Sequence, residues 1–451
     1  MIVLKFGGTS VKDAASMEKV LGIINERSNE QQLVVLSACS GVTDNLLEIS
    51  ENAARGDIHF AKELAKQIHQ RHITMARMLI RNERSLEQAE YDISKIMNKL
   101  GELIEGIAIL RECTPLAHSK CIAFGEYLST ALFYHYCKTK IPNCRLLDSS
   151  DLIKTLNGSK KEAVDLEKTR DLILENITDK DGITIVQGFI ASNDQGKLTT
   201  FNRGGSDYSA SIYGAALNAD QIEIWTDVSG VLSADPRLVP EARPIEVMSF
   251  DEVRELSYYG AKVLHPETIK PAMNMNIPVK ILNTFDKNNR GTTILSEISG
   301  KGDIKSLIMN SNCPVLINDK RSLSEKEIMK INNFISKNDL RVLFSSVSDK
   351  RVFFLLDKST DKKQLTFLAD NYNIQVIAYD TIILCGNGIR IDPGLLTALE
   401  QTADGNFKGI FYGHSKYSMI SIYSTGYGTK ALMHLHKNLI EEKFNLSPEK
   451  T

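Results

Sequence analysis

The first half of the chain alternates short apolar runs with longer amphipathic segments. Residues 1–6 and 33–38 are continuous aliphatic runs, which is typical of strands in a parallel sheet covered on both faces. A helix is predicted over 12–28, directly after two glycines, and the proline-free stretch 43–112 has the periodicity of several helices. Further strands are predicted at 182–190, 220–225 and 278–282, and further helices at 206–217, 250–260 and 266–275. This alternation predicts an α/β fold with a mainly parallel central sheet.

The pattern changes after about residue 296, where ILSEISGKGDIKS reads as a linker. Beyond it the predicted elements are short and follow a ββαββα-like order in two rounds, which suggests an internal duplication. The strands are predicted at 306–310, 340–346, 351–357, 374–378, 381–385, 408–413 and 417–423, and the helices at 323–337, 361–371, 393–401 and 428–440. We therefore predict one domain over 1–296 and two small domains within 305–451.

Composition limits the class of protein. A chain of 451 residues is too long for one ordinary core. Fifty-four basic and fifty-six acidic side chains leave a net charge of −2, so neither a nucleic-acid partner nor a membrane surface is expected. No apolar run approaches the length of a membrane helix, and the N-terminus does not read as a signal peptide. Seven cysteines without a CxxC pair indicate reduced thiols in a cytoplasmic protein, with Cys39 as a packing residue.

The first candidate site is the turn after the first strand, LKFGGTSV. Gly7 and Gly8 lack side chains, so backbone N–H groups there can approach an anion, and the predicted helix start adds partial positive charge. Lys5 supplies a full charge that suits a phosphoryl group. The alternative is an ordinary strand–turn–helix in which Ser10 caps the helix, and this motif alone does not decide between them.

A second loop of the same kind, NRGGSD, directly precedes another predicted helix. Arg203 stands beside Gly204 and Gly205, so a cation again adjoins glycines at a helix start. Ser206 and Asp207 would cap this helix in the structural alternative. Beside a phosphate, the aspartate would instead organise the lysine of the first loop or hold Mg²⁺. Two such loops predict a cradle for a polyphosphate and its acceptor, although neither a Walker A motif nor a dinucleotide fingerprint is present.

Other polar candidates follow strands, where open α/β sheets bind ligands, or lie in helices. Thr43 comes after the second strand, in SACSGVTDNL. Glu126 lies in a predicted helix within FGEYLST, and a solvated surface glutamate is the alternative there. The remaining candidates, in later segments, are Thr226, Asp227, Arg237 and Lys262.

Taken in order, these segments resemble the aspartate kinases of the amino-acid kinase family. The matching motifs are KFGGTSV at 5–11, SACSGVTDNL at 37–46, FGEYLST at 124–130, FNRGGSDYSA at 201–210, WTDVSGVLSADPR at 225–237 and GAKVLHP at 260–266. The resemblance covers about the first 295 residues. It implies a three-layer amino-acid-kinase-like fold over 1–296, followed by tandem ferredoxin-like ACT regulatory domains at about 305–372 and 373–445. Whether the last strand and helix complete the first ACT unit stays open.

The resemblance implies an ATP- and Mg²⁺-dependent kinase that phosphorylates the β-carboxylate of L-aspartate, the entry step to lysine, threonine, methionine and diaminopimelate synthesis. Lys5 would lower the barrier to phosphoryl transfer, and Asp207 would organise the Lys5 side chain. Substrate would be held by Arg203 at the α-carboxylate, Glu126 at the ammonium, and Thr43 with Ser206 beside the β-carboxylate. The implied ATP-binding residues are Lys5, Gly7, Gly8, Ser10, Gly204, Gly205, Thr226, Asp227, Arg237 and Lys262.

The implied partners are L-aspartate, ATP, an amino-acid effector and further copies of the chain, paired through the ACT domains. Two residues and one loop depart from the family pattern. Leu232 stands where relatives often carry an aromatic residue, which predicts weaker ATP binding. Ile389 replaces a methionine, and the first effector loop lacks glycine, so lysine feedback does not follow from the sequence.

Two other functions fit the sequence less well. One is a catalytically silent amino-acid sensor that keeps the fold and the ACT domains, and the other is a related carboxylate kinase acting on glutamate or N-acetylglutamate. The sensor is disfavoured because Lys5, Glu126, Arg203 and Asp207 are all present. The related kinase is disfavoured by the motif details and by the ACT pair.

Overall fold

A computed structural model provides the structure of the protein and describes residues 1–27, 30–156, 163–177, 182–202, 204–261, 264–298, 303–318, 323–347, 352–372, 374–402 and 405–441. The chain forms two compact units. The first comprises the described residues of Met1–Val231, Glu246–Phe250 and Leu264–Ile298, and the second those of Leu232–Ile245, Asp251–Val263 and Ser299–Thr451.

The strands of the described residues are β1 (Ile2–Phe6), β2 (Gln32–Leu36), β3 (Cys144–Leu146), β4 (Lys154–Thr155), β5 (Ile183–Gln187), β6 (Ile190–Asn193), β7 (Leu198–Thr200), β8 (Gln221–Thr226), β9 (Val247–Ser249), β10 (Val279–Asn283), β11 (Thr292–Leu295), β12 (Asp303–Ile317), β13 (Val342–Val347), β14 (Val352–Leu356), β15 (Gln375–Asn387), β16 (Phe407–Phe411) and β17 (Ser418–Ser424).

The α-helices are α1 (Ala14–Asn25), α2 (Val42–Arg55), α3 (Ile58–Leu79), α4 (Glu83–Leu110), α5 (Pro115–Lys138), α6 (Ser149–Leu152), α7 (Leu166–Asn176), α8 (Gly205–Ala216), α9 (Phe250–Tyr258), α10 (Lys270–Asn274), α11 (Glu325–Lys337), α12 (Lys362–Tyr372), α13 (Pro393–Gln401) and α14 (Gly428–His436). A 3₁₀ turn covers Pro266–Thr268, and a π-helical turn covers Lys437–Glu441. Within the described residues, no helix combines the length and the apolarity needed to cross a membrane.

The central sheet of the first unit confirms the predicted α/β class. Its strand order is β3-β5-β2-β1-β8-β10-β11-β9, and every neighbouring pair is parallel except β10 with β11. Strands β1, β2 and β5 are buried along their whole length, as continuous aliphatic runs in a covered sheet require. Phe6 pairs with Leu36 on one side and with Trp225 on the other. The carboxyl ends of β1, β2 and β8 therefore meet at one edge of the sheet.

Helix α5 is buried on most sides and packs close to that edge. It begins at Pro115, where a missing N–H costs nothing, and the Thr114 side chain caps it by accepting from the N–H of Ala117. Small residues allow its close approach to the chain after β2. A Cβ on Gly125 would lie 2.7 Å from the Cβ of Ala38, closer than two carbons can pack.

The second unit is built on a six-stranded antiparallel sheet of described strands, in the order β13-β14-β12-β15-β17-β16. The long strands β12 and β15 pair in its centre, and β12 contributes to two separate cores. Leu307, early in β12, belongs to a core with α13 and α14, whereas Leu316, later in β12, belongs to a core with α11 and α12. The first strand of this unit thus contributes to both cores.

The prediction of two strands at 374–378 and 381–385 is wrong. The structure has one continuous strand, β15, because Tyr379 and Asp380 stay in register with Ser424 and Tyr423 of β17. Here the Asp380 carboxylate is buried and accepts hydrogen bonds from backbone N–H groups, including that of Gly428 at 3.0 Å.

Two glycines, one at positive φ just before β11 and one at an open position in α4, offer a matched test of the backbone conformation. Gly291 has φ +66°, and a Cβ there would collide with the carbonyl oxygen of Ile281. We expect Gly291→Ala to destabilise the protein by about 2 kcal/mol or more and to lower Tm by about 5 °C. Gly101 lies in α4 with open space around it, so Gly101→Ala should raise Tm slightly. Thermal unfolding followed by circular dichroism measures both. Equal Tm values for the two variants would contradict the backbone conformation and close contact described for Gly291.

Candidate active site

An ion pair joins the two glycine-containing loops that the sequence singles out. Lys5 lies near the end of β1 and is 8% exposed. Its Nζ is 2.6 Å from Oδ1 of Asp207, which lies in the first turn of α8. Both side chains are largely shielded from water, so their attraction is screened less than that of a surface pair. The structure brings these two residues together, and their catalytic role stays a prediction.

The first loop differs from its predicted form. Helix α1 begins at Ala14, several residues after the glycines, and Asp13 caps it by accepting from the N–H of Ser16 at 2.8 Å. The helix predicted over 12–28 is present but begins two residues later than predicted, whereas the alternative in which Ser10 caps it is wrong. The aspartate ends the loop because its carboxylate pairs with a helix N–H group that would otherwise lack a partner.

Hydrogen bonds attach this loop to strand β8 and to the chain after β10. The N–H of Gly7 donates to the carbonyl of Trp225 at 3.0 Å. Ser10 is fully buried, and its hydroxyl lies 2.8 Å from that of Thr284. The predicted ATP contacts of Gly7 and Ser10 stay predictions, and in this structure both groups hold the loop in place.

Gly8 packs against the loop that follows β2. A Cβ at Gly8 would lie 2.8 Å from the carbonyl oxygen of Ala38, and the Gly8 carbonyl accepts from the N–H of Ser40 at 3.0 Å. Cys39, between them, is buried, and burial raises the pKa of its thiol to about 12, as suits a packing residue. Only a residue without a side chain allows this approach of the two loops.

Glu126 is buried within helix α5, and its carboxyl group contacts the loop that follows β2. It is 4% exposed, so the alternative of a solvated surface glutamate is wrong. Its Oε1 accepts from the N–H of Ala38 at 3.1 Å, while Oε2 is buried without a hydrogen-bond partner. Burial raises the pKa of Glu126 to about 8, and the nearby charge of Lys5 opposes that rise. An unpartnered buried acceptor is costly, and a cationic donor from a ligand would satisfy it.

The second loop enters α8 without a side-chain cap. Gly204 holds the position before the helix at φ +80°, and neither Ser206 nor Asp207 caps it, so the capping alternative for them is wrong. Gly205 packs so closely that a Cβ would lie 2.6 Å from the ring of Phe189. The aspartate is therefore free of a capping role and pairs with the lysine of β1.

The remaining predicted residues are placed as follows. Thr43 lies in the first turn of α2. Thr226 ends β8 and donates to Asp227 at 3.1 Å. Arg237 belongs to the second unit and forms an ion pair with Asp235. Arg203 and Lys262 lie outside the described residues.

The sequence did not point to Arg71, on helix α3. Its guanidinium donates to the carbonyls of Lys12 and Ser40, at 2.7 and 3.0 Å, and so connects the loop after β1 with the loop after β2. No motif surrounds it, because it lies in one of several amphipathic helices predicted only as a group. Only the three-dimensional structure shows this contact.

The chain matches known proteins along its whole length. A model of the amino acid kinase family matches residues 1–283. The lysine-sensitive aspartokinase 3 of Escherichia coli is 28% identical over 98% of this chain and 99% of its own length. The bifunctional aspartokinase/homoserine dehydrogenase of Buchnera aphidicola is 31% identical over 84% of this chain, which spans 46% of that relative. The chain thus spans about half the length of the bifunctional relative.

Solved structures agree with these matches. The crystal structure of E. coli aspartokinase III with lysine and aspartate has a TM-score of 0.83 at 26% identity, over 98% of this chain and 99% of that chain. The structure of the same enzyme with aspartate and ADP has a TM-score of 0.79 at 26% identity, over 97% and 99%. The chain belongs to the amino acid kinase family, and within that family to the aspartokinases. The predicted family and fold class are confirmed.

The raised pKa of Glu126 predicts a pH dependence. Below about pH 8 this carboxyl is mostly protonated in the free enzyme and cannot pair with an ammonium group. As the pH rises towards 8, the carboxylate forms, so kcat/KM for aspartate should rise and then level off. Glu126→Gln, which cannot ionise, should have a lower kcat/KM without this rise. A pH profile of initial rates checks it, and a wild-type profile that is flat from about pH 6 to 8 would contradict it.

Proposed function

We propose that this protein transfers the γ-phosphoryl group of ATP to the β-carboxylate of L-aspartate and forms 4-phospho-L-aspartate. The observation that carries the proposal is the Lys5–Asp207 ion pair beside the buried, half-satisfied carboxyl of Glu126. Aspartate and ADP occur together in the E. coli structure described above, which supports ATP as the donor here.

In this reaction the acceptor carboxylate is already a nucleophile, so no general base is needed. The barrier comes from repulsion between two anions and from charge in the transferring group. Lys5 would counter both, because its ammonium sits at the carboxyl end of β1 with little water around it. Asp207 would hold that ammonium in position through their ion pair.

The substrate would be held by groups of opposite charge. Glu126 would receive the ammonium of aspartate, whose positive charge would lower the pKa of this carboxyl towards its usual value. Arg203 would bind the α-carboxylate as a bidentate fork. Thr43 and Ser206 would orient the β-carboxylate towards the phosphate.

The nucleotide would bind through Gly7, Gly8, Ser10, Gly204, Gly205, Thr226, Asp227, Arg237 and Lys262, together with Lys5. Among the described residues, no three His, Cys, Asp or Glu side chains are grouped as a metal site. This suits Mg²⁺, which typically enters kinases on the phosphates and keeps several waters, and Asp207 is the carboxylate available beside them. When bound, Mg²⁺ would neutralise phosphate charge.

We assign catalysis to residues 1–296 and regulation to tandem ACT domains within 305–451, at about 305–372 and 373–445. The two cores that share β12 support two regulatory domains with an interleaved first strand. These domains would pair between copies of the chain and bind an amino-acid effector. The expected setting is the cytoplasm.

Lys5→Met tests the activity directly. Methionine keeps most of the length of the side chain but removes its charge, so kcat should fall by roughly two to three orders of magnitude. Lys12→Met is the matched control, since Lys12 is exposed in the same loop and should keep nearly full rate. A coupled assay for ADP release with aspartate and Mg·ATP measures both. If the wild type gave no turnover above that of Lys5→Met, the kinase proposal would fail and a silent sensor would be favoured.

A further inference from the structure

Arg71 of α3 holds together two loops of the first unit that leave the sheet at neighbouring strand ends. Its Nη2 donates to the carbonyl of Lys12 at 2.7 Å, and its Nη1 donates to the carbonyl of Ser40 at 3.0 Å. The first carbonyl belongs to the loop after β1, and the second belongs to the loop after β2. Because the guanidinium is planar and its donors are fixed in direction, one side chain sets the spacing of both acceptors.

The helix that carries this arginine is firmly packed. Ile68 and His72, on either side of Arg71 along α3, are 2% and 0% exposed. Ile68 and Ala76 belong to the main hydrophobic core of the first unit. Close-packed side chains of this kind keep a helix from following small movements of nearby loops. The guanidinium therefore holds the loops to a fixed support.

Each loop is also attached near its start, at a place away from the arginine. In the loop after β1, the N–H of Gly7 donates to the carbonyl of Trp225 at 3.0 Å. In the loop after β2, the carbonyl of Ser37 accepts from the hydroxyl of Ser129 on α5 at 2.7 Å. Arg71 binds the far part of both loops, so it completes the attachment of each.

The loop after β2 connects this contact with the buried carboxyl group of α5. The N–H of Ser40 donates to the carbonyl of Gly8 at 3.0 Å, while its own carbonyl accepts from Arg71. Two residues earlier, the N–H of Ala38 donates to Oε1 of Glu126 at 3.1 Å. A displacement of this short loop would therefore change both its distance from the glycine loop and the hydrogen bonding of Glu126.

We propose that Arg71 is a positioning residue for phosphoryl transfer: by donating to both carbonyls, it sets the spacing between the glycine loop and the loop that binds Glu126. This inference rests on the proposed function, in which the glycine loop contacts ATP and Glu126 receives the substrate ammonium. The arginine acts through the two loops and needs no contact with either substrate. It lies outside every motif that suggested the site.

Two substitutions separate the pair of donors from the charge. Arg71→Met removes both, and kcat should fall by about tenfold or more, because small displacements of reacting groups are costly. KM for ATP should stay within about twofold, since the glycine loop keeps its bond to Trp225. Arg71→Lys keeps the charge, but one nitrogen cannot occupy both donor positions, so kcat should still be about threefold or more below the wild type. Lys66→Met, which removes an exposed cation from the same helix, is the matched control.

The pH profile reports on the loop after β2 separately from the rate. Burial raises the pKa of Glu126 to about 8, and the Ala38 N–H and the charge of Lys5 oppose that rise. When Arg71→Met weakens the Ala38 hydrogen bond, the pKa of Glu126 should rise further. The midpoint of kcat/KM for aspartate should then move up by about half a pH unit. Arg71→Lys should show a shift of the same sign.

The measurement is initial rates of ADP release by the full chain from about pH 6.5 to 9, with Tm recorded for each variant. A lower Tm with unchanged kcat and midpoint in Arg71→Met would show a merely structural role and overturn the inference. Wild-type kinetics in Arg71→Lys would show that the charge alone matters, and would also overturn it. If Arg71→Met does not fold, the rate and midpoint of Arg71→Lys decide.

The same assay separates this inference from the proposed function. If the wild type turns over aspartate and the Arg71 variants match it, the positioning role is wrong and the kinase function stands. If the wild type gives no turnover above that of Lys5→Met, both are wrong.

Discussion

The structure of the first unit depends on placing one ammonium group at the carboxyl end of a buried strand. Asp207, from the first turn of α8, pairs with the Lys5 ammonium at 2.6 Å. An unpaired charge at such a position would cost several kcal/mol, so the lysine and the aspartate have to be considered together. The pair also brings together two loops that are distant in the sequence. The charge of Lys5 acts on the carboxyl of Glu126 as well, and opposes the rise that burial causes in its pKa.

That arrangement requires close packing of backbone around the ion pair. Strand β1 lies between β2 and β8, so the chain leaving it meets the chain leaving each neighbour. Gly8 and Gly125 both approach Ala38 at distances that a side chain would prevent. The small residues that looked like a phosphate cradle in the sequence therefore have a second role, which is to let three segments converge on one site.

Much of this could be predicted from the sequence, since aliphatic runs give the parallel sheet and the motifs give Lys5, Glu126 and Asp207. The residue that caps α1 could not, because the Ser10 hydroxyl is bound to Trp225 and Thr284, which are distant in the sequence, and Asp13 caps the helix instead. The continuity of strand β15 could not be predicted either, because it depends on pairing with β17 and on backbone N–H partners for the buried Asp380. Long-range contacts leave no local pattern, and the hydrogen bonds from Arg71 to Lys12 and Ser40 are of that kind.

The central claim is that Lys5, Asp207 and Glu126 form one site for phosphate and substrate. A crystal structure with aspartate, Mg²⁺ and a non-hydrolysable ATP analogue tests it most directly. The account predicts Lys5 Nζ within hydrogen-bonding distance of a β- or γ-phosphate oxygen and the substrate ammonium on Glu126 Oε2. A nucleotide bound elsewhere, with Lys5 paired to Asp207 alone and Glu126 still without a partner, would contradict it.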